Sequence, residues 1–119
     1  MIWIPIPSGY TKTKSQSDED FDIIRDRKSS IIHCPLVYVR KGKALETFGR
    51  FVRKGKNMTL DTDTFPADII KNIELGSYLG KLLDNNREEH DLKHFLNAAT
   101  INGAKALGRE DLGKLEIGA

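Results

Sequence analysis

Apolar residues along this chain come in two rhythms, short continuous runs and helical spacings, and the two alternate. Residues 1–6 mix β-favouring side chains with proline, which predicts a short strand with an edge-like end. Residues 8–17 are polar and read as a loop. Ser17 and Asp20 then form a capping arrangement, and Phe21 and Ile24 at helical spacing predict a helix over 18–27. A β-branched run over 30–33 stops at Cys34-Pro35, the profile of a buried strand ended by proline. Leu45, Phe48 and Val52 keep a helical period over 44–54, with Gly55 placed where a helix C-terminus favours glycine. Residues 58–60 predict a third strand, followed by the polar Asp61, Thr62, Asp63 and Thr64. Pro66 opens a helical stretch to about Leu83 on which Ile69, Ile70, Ile73 and Leu79 share a face. After a polar connector over 84–89, Leu92, Phe95, Leu96 and Ala99 predict another helix, and residues 104–107 a last short one.

Three strands alternating with helices predict βαβ units and a parallel sheet, so the fold class is α/β. A parallel sheet needs both faces covered, and three strands leave two open edges, so this pattern reads as part of a larger sheet. Composition narrows the class: with 39% hydrophobic and 30% charged residues in 119, the chain reads as globular rather than disordered. Its longest apolar runs fall far short of the roughly 20 residues that cross a bilayer, and no signal peptide is legible. One cysteine, Cys34, cannot form an internal disulfide, which predicts a reducing compartment, the cytoplasm. Net charge is only +2, yet residues 40–56 hold seven basic residues against Glu46 alone. Such a cluster suits phosphates or acidic partners. It equally suits a solvated helix face, and no aromatic platform interleaves it, which argues against nucleic acid.

The predicted layout puts His33 after the second strand and Asp61 and Asp63 after the third. Parallel α/β sheets carry their functional groups at the carboxyl ends of strands. A carboxylate there is suited to holding a metal ion and taking a proton from water, and an imidazole to ligation or substrate contact. From spacing alone, an aspartate after a strand is more often a cap or turn residue, and a histidine beside Cys-Pro a packed one. Cys34 has no second cysteine with which to form a zinc motif. His90 and His94 lie four apart without the glutamate of a zincin and read as surface residues. There is no phosphate-binding loop and no nucleophile elbow.

Four stretches change the picture. His33-Cys34-Pro35-Leu36-Val37-Tyr38 looks like the end of a seventh barrel strand, and residues 42–55 like the following helix. Leu60-Asp61-Thr62-Asp63-Thr64-Phe65-Pro66 looks like the Gly-Thr-Asp-Thr signature after an eighth strand. Residues 98–108, with 113–118, look like the exit from a barrel into a small β-sandwich. Together these resemble the cytosine-deaminase, chlorohydrolase and guanine-deaminase branch of the metal-dependent amidohydrolases. The resemblance implies a partial TIM (β/α)8 barrel, strands six to eight with their helices over 1–107, and the start of the return to the β-sandwich over 108–119. It implies Asp63 as metal ligand and catalytic residue, and His33 as a supporting site residue. It further implies one divalent metal, zinc or iron, in the complete enzyme. The implied reaction is hydrolysis of a carbon–nitrogen or carbon–chlorine bond in a small heterocyclic amine. No membrane or nucleic-acid partner is implied, and a homodimer is allowed.

The departures matter as much. Asp61 stands where the family has glycine, and residues 1–7 resemble the sixth strand without its histidine. The His-x-His pair after strand one and the histidine after strand five have no counterpart among the three histidines. A catalytic site needs about three protein ligands, so the expectation is a C-terminal piece that binds no metal firmly and is inactive alone. The alternative is a non-catalytic binding module that works through the basic segment 40–56.

Overall fold

Two three-residue strands, β1 (Ile31–His33) and β2 (Met58–Leu60), lie parallel and in register, Ile31 opposite Met58 and His33 opposite Leu60. The computed structural model describes residues 22–23, 26–27, 29–45, 48–84 and 86–117. The strand read at 1–6 and the loop at 8–17 lie outside the described residues, as does most of the helix read at 18–27. Both described strands fall where the β-branched and apolar runs put them. Thr59 adds a side-chain bond to the ladder, its hydroxyl donating to the Ile31 carbonyl.

Five helices complete the described architecture: α1 (Pro35–Val39), α2 (Phe48–Arg53), α3 (Ile69–Asp84), α4 (Leu92–Ala99) and α5 (Ile101–Ala106). Alternation along the strands sends Ile31, Met58 and Leu60 into one core with Phe48, Phe51, Ile73, Phe95 and Ala98. At its centre Phe48 and Phe95 stack with centroids 4.1 Å apart. α2 ends as its sequence predicts: Gly55 takes φ 72, its N–H donates to Val52 O, and the Lys56 N–H donates to Phe51 O. Behind β2, the Asn57 and Asn102 amides cross over. Asn57 donates to Asn102 O and Asn102 to Met58 O, which fastens α5 to the strand.

Three expectations need correction. The proline after Cys34 ends a strand but also begins α1, where a missing N–H costs nothing at the first helical position. Cys34 gives α1 no side-chain cap. The buried Asn72, 36 residues away on α3, accepts from Leu36 N–H instead. Second, α3 starts at Ile69 rather than Pro66, because the Asp68 carboxylate accepts from Lys71 N–H and fixes the cap there. Its buried face carries Asn72, Ile73, Gly76, Ser77 and Gly80, while Ile70 stays exposed.

Third, His90 is not a surface residue: it is fully buried, beneath Phe48 and Phe95. Its Nδ1 lies 3.0 Å from Asn86 O and donates to it, while Nε2 accepts from Gly49 N–H at 3.1 Å and lies 3.9 Å from the Asp84 carboxylate. A Cβ on Gly80 would lie 2.1 Å from the His90 ring, and one on Gly49 2.6 Å from it. Two glycines from separate segments thus make the space that this histidine fills. His94, by contrast, is half-exposed, its ring beside the Asp91 carboxylate that caps α4.

Candidate functional site

The ladder runs one residue past β2, because Asp61 N–H donates to His33 O at 3.0 Å. Cys34 and the segment beginning at Asp61 therefore leave the sheet side by side at its carboxyl end, where a parallel sheet exposes its functional groups. The two histidine and aspartate candidates separate at this point. His33 shares its strand face with Ile31, so its imidazole is buried on the helix side, 6.0 Å from the Phe48 ring. Burial first, and the neighbouring His90 second, push its pKa down to about 3. It is a neutral, packed ring.

Asp63 is exposed, with its backbone in the left-handed region at φ 42, a conformation that aspartate tolerates better than most residues. Asp61, also exposed, turns its carboxylate back to accept from Thr62 N–H at 2.7 Å. Arg40, just beyond α1, reaches across from the other strand end. Its Nη1 donates to Thr64 Oγ1 and to Phe65 O, both at 2.9 Å. Cys34 lies buried behind them. Burial, then Asp61 and Asp63, push its thiol up to about 12, so it remains protonated and is a poor metal ligand.

The donor chemistry fits a divalent cation at one point. Asp63 offers an open anionic oxygen that no hydrogen bond or ion pair with another described residue engages. It does not close a site, since among the described residues no three His, Cys, Asp or Glu side chains gather to hold a metal ion. The structure brings Asp61, Asp63 and Cys34 to one end of the sheet and keeps the His33 ring behind it. Sequence reading missed Arg40, taken there as one charge of a solvated cluster; its acceptors lie 24 and 25 residues ahead.

Residues 5–119 match the model of the amidohydrolase family. The 5'-deoxyadenosine deaminase of Methanosarcina acetivorans is 32% identical over 106 residues, covering 86% of this chain and 24% of that protein. The 5-methylthioadenosine/S-adenosylhomocysteine deaminase of Teredinibacter turnerae is 31% identical over 107 residues, with 86% and 24% covered. Among solved structures, an adenosine deaminase from Xanthomonas campestris with bound zinc superposes with a TM-score of 0.74 at 25% identity, over 84% of this chain and 24% of that one. The guanine deaminase of E. coli, with a TM-score of 0.64 at 24% identity over 82% and 23%, shows likeness of fold alone. The chain thus spans about a quarter of the length of the curated relatives it matches. No helix among its described residues is long and apolar enough to cross a membrane. Parallel strands in register, a carboxylate at their carboxyl end and a family match over nearly the whole length lead to one assignment: this chain belongs to the amidohydrolase family.

Proposed function

We propose that this chain is the part of a deaminase that brings Asp63 to a divalent metal, zinc in the first instance, and that β1 and β2 are the seventh and eighth strands of its barrel. The observation that carries the reading is the exposed, unengaged Asp63 carboxylate at the carboxyl end of a parallel strand. The substrate is a heterocyclic amine of the purine nucleoside kind, as the names of the relatives suggest, and the bond broken is carbon–nitrogen. A metal held there would supply Lewis acidity to a bound water, lowering its pKa. Asp63 contributes an anionic oxygen and an acceptor for the proton of the attacking water. The His33 ring packs the end of β1 from behind, a positioning role. Residues 108–119 lead towards a β-sandwich; Leu115 and Ile117, alternate and fully exposed, are apolar positions that such pairing would cover.

The binding-module reading fares worse. Of the seven basic residues over 40–56, Arg40 holds the Asp63 loop and Arg53 pairs with Asp84 and Glu89. Lys54 pairs with Asp22, and Lys56 donates to Arg27 O. Arg50 also has a partner, so most of the seven are committed within the chain.

The test is a chimera in which this chain replaces the matching quarter of the Methanosarcina acetivorans enzyme. The expected product binds one zinc and releases ammonia from 5'-deoxyadenosine. Asp63→Asn should lower that rate at least about 100-fold and reduce zinc content. A folded chimera whose zinc and activity ignore Asp63→Asn would overturn the proposal. The 119-residue chain by itself is expected to release no ammonia.

A further inference from the structure

We propose that Arg40 is a positioning residue for Asp63, its guanidinium holding the loop that carries the carboxylate against the ends of both strands. This rests on the assignment of Asp63 as a metal ligand. The segment after β2 has few restraints of its own. Asp61, Asp63, Phe65 and Pro66 are all exposed. Ahead of Asp63, the segment is tied by Asp61 N–H to the His33 carbonyl and by the local turn at Thr62. At its far end, Asp68 caps α3. Between these points the Arg40 guanidinium spans the gap, donating to the side chain of Thr64 and the backbone of Phe65, the two residues that follow Asp63.

The topology explains why Arg40 can do this. α1 starts directly after β1, so a side chain at its far end stands beside the loop leaving the neighbouring strand. One Nη1 carries two hydrogens in a fixed plane, and here each finds an acceptor. A lysine can make such contacts only as a mobile point charge. The consequence concerns geometry at Asp63, whose left-handed backbone has a lower-energy extended alternative. Without the clamp the loop can relax towards it, and a ligand displaced by about 1 Å loses much of its effect.

The experiment uses the 15N-labelled chain as wild type, Arg40→Ala, Arg40→Lys and Asp63→Asn, with Mn2+ alone as the paramagnetic probe. In the wild type, Mn2+ should broaden the amide signals of Cys34 and Thr62, and Asp63→Asn should abolish this. Arg40→Ala should drop the backbone order parameters of Thr64 and Phe65 from about 0.85 to below about 0.6. It should also raise the Mn2+ concentration needed for broadening by about 5- to 10-fold, with the thermal midpoint unchanged because the side chain is exposed. Arg40→Lys should recover part of both. If Asp63→Asn abolishes broadening while Arg40→Ala leaves the Mn2+ dependence unchanged, the positioning role is wrong and the Asp63 assignment stands. If broadening survives Asp63→Asn, both fall.

Discussion

The surroundings of His90 and the loop carrying Asp63 are each built from polar groups with specific partners, and they are built in opposite ways. Around His90 the ring is enclosed by described residues: Gly49 N–H and Asn86 O meet it, the Asp84 carboxylate lies 3.9 Å from Nε2, Ser77 donates to the His90 carbonyl, and Phe48 and Phe95 close over it. Nothing there is open to a ligand. Around Asp63 the backbone is pinned from one side, by His33 O and Arg40, and the carboxylate itself is left without a partner among the described residues. Buried, satisfied polar groups make the first region a rigid support; a solvent-exposed carboxylate with no protein partner among the described residues is what the proposed function puts to work in the second. Substitutions in the first should therefore change stability, and substitutions in the second should change binding.

The largest effect is expected at Phe95, fully buried and stacked on Phe48. Phe95→Ala should cost about 3–5 kcal/mol in denaturant unfolding, and a loss under about 1 kcal/mol would show that the core is not organised around this stack. Gly80→Ala sharpens the contrast through its sign. In an open mid-helix position, alanine in place of glycine stabilises by about 0.5–1 kcal/mol. Here the new Cβ would meet the His90 ring at 2.1 Å, so a destabilisation of about 1–3 kcal/mol is expected.

The pH dependence comes next. His33 titrates near 3 in the folded chain against 6.5 when free, so between those values the unfolded chain binds one proton more than the folded one. Stability is then complete above about pH 6.5 and falls as pH drops towards 3, by at most about 1.4 kcal/mol per unit from this group. His33→Gln should flatten that slope by up to one proton, as read from unfolding free energies at several pH values. The smallest effect is at the loop: Asp63→Asn should change stability by less than about 0.5 kcal/mol, because the side chain is exposed and asparagine also tolerates the left-handed backbone.

How much of this was legible along the chain follows from distance in sequence. The strand Met58–Leu60 and the helix Leu92–Ala99 are local facts, a short apolar run and a helical spacing, and both emerged where they were read. α1 did not, because its cap is Asn72, and a proline read locally says only that a strand stops. The buried face of α3 was read in part: Ile73 lies in the core and Ile69 packs against it, but Ile70 is exposed. The rest of the face, Gly76, Ser77 and Gly80, is small because Phe95 and His90, which arrive from later in the chain, pack there. His90 itself looked like surface because the two glycines that admit it lie 41 and 10 residues earlier. The position of Asp63 after a strand was legible from element order. The role proposed for it rests on resemblance, since spacing alone cannot tell a ligand from a turn residue.

The most direct test of the central claim is an anomalous difference map from zinc-grown crystals of the chimera with the Methanosarcina acetivorans enzyme. The account predicts a peak about 2.0–2.2 Å from an Asp63 carboxylate oxygen, absent in Asp63→Asn crystals of unchanged fold. A peak at His94 or elsewhere with none at Asp63 would contradict it.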